Sequence, residues 1–520
     1  MSDGRLRDGR DRYVDFLRAW AILLVVGGHW LITALVREPG GEIRAPELLA
    51  TVPWTQWLTL VFQIMPLFFL AGGYAASGSW GRARAAGGTV GGWVRQRVLR
   101  LLLPAAVYSA MVLCALGVCE AVGVDRGTLA LVGWAMAMQF WFLPVYLMLS
   151  ALTPALHAAH RRWGLLVPVG LGASAVVADV LAAGLHMPVV GLLDYLLVWG
   201  VAYQLGFCWR DEGTGGARSA LRAGLSDGLS DGRRAVPAVM AVCGTLAFVA
   251  LVRFGPFPVS LILVTGQTPS NTDPPSVAML AWAVAQVGWC LLAAPAVRRV
   301  LERERVWRAV RPLGAVGMTL YLWHMLPVLI AAAAFYLTGI APQPAIGSPA
   351  WWGWRVPWLL VLGVVLVGVV WALRPLDRGL AAVRARATTS YGGPGGSPDD
   401  GPGGSPDDGP GGSPDDGPGG SSGGGSRGAG WLLWPGLGAA VAALGYFAGH
   451  GFAYDGRFPV LPALGLAAGV ALVTVAGEAE PQREHGSEQG RNGGIPTGAR
   501  SAAGAADPQG AVDGAPGGVA

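Results

Sequence analysis

Long apolar runs separated by short polar stretches occupy most of the chain. Each run has about the 20 residues that a helix needs to cross the hydrocarbon core of a bilayer. Ten runs precede residue 386, so length and periodicity predict an all-α polytopic membrane protein with a ten-helix domain over residues 1–386. The runs cover residues 14–36, 57–79, 101–122, 128–156, 164–185, 188–209, 236–254, 276–298, 314–338 and 356–374.

The chain changes character after residue 386. The octad GPGGSPDD occurs three times from residue 393, and a Gly/Ser run follows it. Such residues have nothing to bury, so residues 387–430 are predicted to form a disordered linker. Two apolar runs rich in glycine and alanine then predict a two-helix transmembrane hairpin over residues 431–476. The polar remainder, 477–520, is predicted to be a disordered cytoplasmic tail.

Charge gives the predicted orientation. The 37 basic residues are all arginine. The N-terminal segment and the loops on its side of the membrane hold 27 of them, against five in the loops on the opposite side. Cytoplasmic loops carry such an excess. We therefore predict a multi-pass protein of the cell (plasma or inner) membrane with both termini in the cytoplasm. The net charge of +5 does not indicate nucleic-acid binding, because the arginines are concentrated in particular loops.

The first apolar run contains an arginine and a histidine. Arg18 and His29 are eleven positions apart, which places them on nearly the same helical face, about 16 Å apart along the axis. With Arg18 at a membrane surface and Asp15 as its partner, His29 would lie near the midplane. An ionisable side chain at that depth indicates a functional site. The alternative is a neutral core histidine bonded to a carbonyl group.

Two further arginines begin the third run. Arg97 and Arg100 are three residues apart and therefore share one helical face at the predicted cytoplasmic end. Guanidinium groups in that position suit the phosphates of a ligand that arrives from the cytosol. They would equally suit anionic lipid headgroups, which is the alternative.

Three other residues are weaker candidates. His324 lies 13 residues beyond Arg311, or roughly 20 Å by helical rise, so it could line one cavity with His29 or make a structural hydrogen bond. Trp141, next to a predicted helix break, could be a pocket wall or a packing residue. Asn271 lies in the outer loop QTPSNTDPPS, whose polar groups could bind sugar hydroxyls. That loop could instead be a plain turn that caps the eighth run at Asp273 or Ser276.

Five segments, in order along the chain, resemble the acyltransferase-3 family of integral membrane acyltransferases. The resemblance covers about residues 10–385, with Phe16 at a position where the family often has glycine. The segments are Asp15-Phe-Leu-Arg18 followed by His29, MPLFFLAGGYAASGSW at 65–80, RQRVLRLLLP at 95–104, QFWFLPVYL at 139–147, and MTLYLWHMLPV at 318–328.

The resemblance implies transfer of an acyl group, often acetyl from acetyl-CoA, to an extracytoplasmic hydroxyl or amine. The acceptor would be a glycan, a lipid-linked sugar or a secreted metabolite. Acyl-CoA would be a co-substrate, bound by Arg97 and Arg100, with no bound cofactor and no metal. His29 would be the catalytic residue, together with Asp15 and Arg18. It would act as a general base or as a nucleophile that carries the acyl group.

A transporter or flippase for a lipid or sugar conjugate is the alternative function. Transporters often contain internal repeats in which both halves carry matching broken helices. Residues 1–200 and 200–386 show no such correspondence, which favours the enzyme.

Overall fold

The computed structural model describes residues 11–185, 187–213, 232–389 and 429–476. Most of the predicted linker and all of the predicted tail lie outside the described residues.

Helices make up nearly all of the regular structure in the part of the chain described. They are α1 Arg12–Ile32, α2 Leu48–Thr51, α3 Thr59–Phe62, α4 Met65–Ala85, α5 Val90–Ala121, α6 Arg126–Ala137, α7 Phe142–Trp163, α8 Leu166–Gly184, α9 Pro188–Gly191, α10 Asp194–Gly213, α11 Gly232–Phe254, α12 Val277–Leu301, α13 Glu304–Ala315, α14 Gly317–Trp323, α15 Leu326–Ala331, α16 Pro349–Thr389, α17 Leu433–His450 and α18 Val460–Val475.

Short irregular elements connect several of these helices. Strand β1 (Val36–Arg37) pairs antiparallel with β2 (Ile43–Arg44) just beyond α1. Single 3₁₀ turns cover Pro53–Leu58, Met138–Trp141, Ala429–Leu432 and Tyr454–Gly456, and a π-helical turn covers Ala332–Leu337.

The prediction of an all-α polytopic membrane protein is confirmed. Ten helical segments among the described residues are long and apolar enough to cross a membrane, or eleven if α14 and α15, which are bent by 42°, form one broken span. The eleven include a counterpart for each of the ten predicted runs, and the eleventh contains α17. Helix α18, with 16 residues, is shorter.

Glycine allows some of the helices to pack backbone to backbone. A Cβ atom on Gly73 of α4 would lie 1.8 Å from the carbonyl oxygen of Tyr203 in α10, and one on Gly206 of α10 would lie 2.2 Å from that of Leu70 in α4. Side chains cannot fit at these points, so small residues set the spacing of the pair, as is usual between membrane helices. This contact sets the position of α4 relative to α10.

Candidate active site

The structure brings the two predicted intramembrane histidines together. His29, from α1, lies with its Nδ1 atom 2.7 Å from Nε2 of His324, which follows α14 at the helix break. The two rings stack with their centroids 5.0 Å apart. The indole nitrogen of Trp30 also donates to the carbonyl oxygen of His324, at 2.7 Å. His324 is fully buried, whereas His29 keeps part of its surface exposed.

Helix α1 ends sooner than the sequence predicted, so His29 lies near the end of the helix. The apolar run continues through Val36, but the helix ends at Ile32 because Thr33 adopts an extended conformation. The Thr33 hydroxyl donates to the His29 carbonyl oxygen at 2.6 Å, and Arg355 donates to the Thr33 carbonyl oxygen at 2.8 Å. These bonds satisfy carbonyl groups that a helix end leaves free. His29 is therefore in the last turn of α1, still about 16 Å from Arg18 along the axis, and its depth in the membrane stays a prediction.

Hydrogen-bond partners determine where the protons of the histidine pair lie. Nδ1 of His324 is 2.8 Å from the carbonyl oxygen of Tyr321, which can only accept, so this nitrogen carries a proton. Burial disfavours a charged imidazole, so Nε2 of neutral His324 is an acceptor. The proton between the rings then belongs to Nδ1 of His29. Nε2 of His29 is left with its lone pair, on the more exposed of the two rings.

The helix break that carries His324 is bonded to the 3₁₀ turn Met138–Trp141. Gln139 is buried, and its Nε2 atom donates to the carbonyl oxygen of Leu322 at 3.1 Å. In return, the Tyr321 hydroxyl donates to the carbonyl oxygen of Gln139. A broken helix in a membrane needs partners for its freed backbone groups. Two of the motif segments noted in the sequence therefore support each other directly.

Trp141 lies in a cluster of aromatic rings. Its ring centroid is 5.7 Å from that of Trp199 and 6.4 Å from that of Phe142. Phe142 in turn makes an edge contact with Tyr321, at 5.8 Å. These contacts favour a packing role for Trp141, and its place in a pocket wall stays a prediction.

Asp15 and Arg18 do not reach the histidine pair. The Arg18 guanidinium lies 4.0 Å from the Asp15 carboxylate and 3.5 Å from the carbonyl oxygen of Ala71 in α4. Because α1 is continuous from Arg12 to Ile32, the eleven residues between Arg18 and His29 still correspond to about 16 Å. Arg18, with Asp15 beside it, is therefore too far from His29 to contact a group that lies against the His29 ring.

Arg97 faces the interior of the helical bundle. Its guanidinium carbon lies 5.4 Å from the centre of the Trp93 ring, and its Nε atom is buried. This position favours binding of a ligand inside the bundle over contact with lipid headgroups. Arg100, one turn further along α5, is partly exposed.

Arg210 is a candidate that the sequence did not single out. It lies near the end of α10, where its guanidinium carbon is 5.1 Å from the centre of the Tyr74 ring. A Cβ atom on Gly78 would lie 2.0 Å from the same carbon, so glycine makes room for the arginine. Arg18 and Arg210 thus contact successive turns of α4. In the sequence, Arg210 counted only toward membrane orientation, and the one further signal was the row of small residues in α4.

Asn271 is engaged within its own loop. Its side-chain nitrogen donates to the carbonyl oxygens of Pro258 and Ser260 at 2.7 and 2.9 Å, and its side-chain oxygen accepts from the Ser276 hydroxyl at 2.7 Å. Ser276 is also the N-cap of α12. The contacts favour the alternative in which this loop is a turn that caps the helix, and they leave Asn271 a structural residue.

The helical fold that holds the histidine pair and the inward-facing arginines is that of an integral membrane protein. A family model described as an acyltransferase domain matches residues 11–374. The chain belongs to the acyltransferase-3 family and is a membrane acyltransferase, as the motif segments predicted. No curated protein and no solved structure matches the chain. The family match ends within α16, and α17 and α18 lie beyond it.

Proposed function

We propose that this enzyme transfers an acyl group, in the simplest case acetyl, from cytoplasmic acyl-CoA to a hydroxyl or amine of an extracytoplasmic glycan, lipid-linked sugar or secreted metabolite. The observation that carries the proposal is the hydrogen bond between Nδ1 of His29 and Nε2 of His324, at 2.7 Å. It leaves the second nitrogen of His29 unprotonated, which is the state that a general base requires.

The free nitrogen of His29 is suited to activate an acceptor. As the acceptor oxygen or nitrogen attacks the thioester carbonyl carbon, its proton passes to Nε2 of His29. The bond between the carbonyl carbon and sulfur then breaks, and the imidazolium returns the proton to the thiolate of CoA. The products are the acylated acceptor and free CoA, with His29 neutral again. During the cycle, the proton on Nδ1 of His29 stays directed at His324, which offsets the transient positive charge.

A covalent path would use the same lone pair. Nε2 of His29 would attack the thioester carbonyl carbon, and the carbon–sulfur bond would break to release the thiolate of CoA. The acceptor would then take the acyl group from the imidazole nitrogen, and its proton would go to the thiolate. Both paths need His29 in the tautomer that His324 fixes. Rapid denaturation of the enzyme at neutral pH after incubation with labelled acyl-CoA alone separates them, because only the covalent path leaves the label on the protein.

The donor would be held by Arg18, near the other end of α1, together with arginines of α5 and α10. Arg18 is about 16 Å from His29 by helical rise, and Arg97 faces the bundle interior near Trp93. Guanidinium groups bind phosphates through paired hydrogen bonds. The nucleotide end of acyl-CoA would lie against Arg18, Arg97 and Arg210, and its extended arm would carry the thioester to the histidine pair.

Loss of Arg97 is expected to weaken donor binding. Arg97→Ala should reduce acetyl-CoA affinity by about 1.5–3 kcal/mol, the usual value for a lost charge-assisted hydrogen bond. Turnover at saturating donor should change less. Arg97→Lys should restore affinity only in part, because a point charge does not reproduce a paired grip. Equilibrium binding of labelled acetyl-CoA to purified protein measures each effect.

Arg253 offers a matched control, because it is exposed and lies at the end of α11. Arg253→Ala should leave donor affinity unchanged. Full donor affinity in both Arg97→Ala and Arg100→Ala would show that the two arginines serve only as contacts to lipid headgroups.

The proposed orientation can be tested with single cysteines. The arginine distribution places the loop around Ser270 outside and Ser405, which is beyond the described residues, in the cytoplasm. A membrane-impermeant maleimide added to intact cells should label Ser270→Cys and not Ser405→Cys, above the background of the five native cysteines. Labelling at residue 405 without labelling at residue 270 would reverse the orientation and place the donor arginines outside.

The function itself is tested by identifying the product. Purified enzyme incubated with labelled acetyl-CoA and a cell-envelope extract should transfer the label to one class of extract component, and His29→Ala should abolish that transfer. Uptake of an extract component into vesicles without any transfer of label would instead support the transporter.

A further inference from the structure

The C-terminal hairpin, α17 and α18, is attached to the enzyme by a buried arginine at one end. Arg95 of α5 is buried, and its guanidinium group donates to the carbonyl oxygens of Val473 and Thr474 at 3.1 and 2.7 Å. These carbonyl groups belong to the last turn of α18, where a cation is favourable. The sequence counted Arg95 only as a charge that sets orientation.

The turn between α17 and α18 packs against α6. The backbone nitrogen of Phe452 donates to the carbonyl oxygen of Gly133 at 3.1 Å. The fit is tight, since a Cβ atom on Gly133 would lie 2.7 Å from the backbone nitrogen of Ala453. The hairpin therefore has close contacts with the core at both of its ends.

Phe452 inserts its ring into the core from this turn. The ring is fully buried, 5.5 Å from the ring of Phe140 and 6.2 Å from that of Tyr108. Tyr108 in turn contacts Trp323 at 4.8 Å, next to His324. Phe452 thus fills the space behind the aromatic residues that support the helix break.

A short chain of hydrogen bonds continues from Tyr108 to the histidine pair. The side-chain nitrogen of Gln139 donates to the Tyr108 hydroxyl at 2.9 Å and to the Leu322 carbonyl oxygen at 3.1 Å. The carbonyl oxygen of Tyr321, one residue away, accepts the Nδ1 proton of His324 at 2.8 Å. The position of this carbonyl group decides which nitrogen of His324 can accept from His29.

We propose that Phe452 is a positioning residue for acyl transfer and that the hairpin, although outside the family match, is part of the working enzyme. The inference rests on the proposed role of the histidine pair. The ring of Phe452 holds Tyr108 and Gln139 in place, and they hold the backbone at Tyr321 and Leu322 so that the His324 ring keeps its tautomer. The sequence alone predicted the hairpin as an addition outside the ten-helix domain.

Removal of the ring should affect turnover and not donor binding. In the full chain, Phe452→Ala should lower kcat by roughly ten- to a hundredfold, because small displacements at a reacting centre have effects of that size. The KM for the donor should stay the same, since Arg18 is near the other end of α1 and the other donor arginines, Arg97 and Arg210, are on α5 and α10. The loss should be similar at every pH, because a change of tautomer does not depend on pH. Phe452→Leu, which fills most of the space, should recover most of the activity.

Two controls separate positioning from a general loss of stability. Phe458→Ala makes the same change in the same turn, at a ring that is 42% exposed, and should keep full kcat. Leu466→Ala opens a cavity at a buried position of α18 and should lower the melting temperature while keeping kcat.

A second variant moves the hairpin without altering Phe452. Gly133→Ala should displace the turn and lower kcat, whereas Gly117→Ala, where a Cβ atom meets no neighbouring atom within 4 Å, should not. Full kcat in folded Phe452→Ala and Gly133→Ala would refute the inference while leaving the proposed function intact. The proposed function fails separately if His29→Ala transfers the acyl group as well as the native enzyme.

Discussion

Replacement of His29 with alanine is expected to lower acyl transfer by about 10²- to 10⁴-fold, the usual range for the loss of a general base. The reason is that Nε2 of His29 carries the lone pair that the hydrogen bond to His324 leaves free. Donor binding should remain nearly unchanged, because Arg18 is about 16 Å from His29 along α1 and the other two donor arginines are on different helices. Measurement of transfer and of acetyl-CoA binding on the same purified protein tests both statements.

His450 supplies the control for this substitution. It is an exposed histidine at the end of α17, so His450→Ala should leave transfer unchanged. Full turnover in His29→Ala, with normal insertion into the membrane, would make His29 a core histidine and would exclude the mechanism proposed here.

His324→Ala is expected to have the second-largest effect, a loss of about 10²-fold in kcat. In the serine protease template, a histidine fixed in the wrong tautomer loses on the order of 10⁴-fold. A histidine without a partner populates both tautomers and both ring orientations, so the loss should be smaller. His324 is fully buried and its ring does not present a free lone pair, so its effect should come through His29.

Glutamine in place of His324 tests whether a hydrogen-bond acceptor at this position orients His29. In His324→Gln the glutamine side-chain oxygen can still accept the Nδ1 proton of His29. In His324→Ala the side chain has no acceptor. We expect the glutamine variant to keep clearly more activity than the alanine variant, measured as kcat at saturating donor. Equal losses in both variants would mean that a hydrogen-bond acceptor at this position does not orient His29.

Much of the fold could be predicted because hydropathy and helix length set it locally. All ten predicted runs have helical counterparts, and the interruption near Gln139 is present as a 3₁₀ turn. The end of α1 could not be predicted, because the apolar run continues past Ile32. The helix stops where Arg355, 322 residues away in the chain, binds the carbonyl oxygen of Thr33.

The members of the site were easier to predict than their geometry. His29 and His324 each stood out as ionisable residues in apolar runs, but 295 positions separate them, and no local pattern shows which helical faces meet. Arginines were the hardest to assign, since the same residue type sets orientation, binds phosphate and caps helices. Arg95 and Arg210 look alike in the sequence, yet one binds the end of α18 and the other contacts α4.

The double variant His29→Ala/His324→Ala tests the central claim most directly, namely that the two histidines act as one unit on one proton. The measurement is the rate of acyl transfer by the native enzyme, both single variants and the double variant at saturating donor. If His324 acts only through His29, the double variant should transfer at the rate of His29→Ala, within about a factor of two, because residues that act as a unit are not additive. Losses that multiply, so that the double variant is slower by the full effect of His324→Ala, would contradict the account.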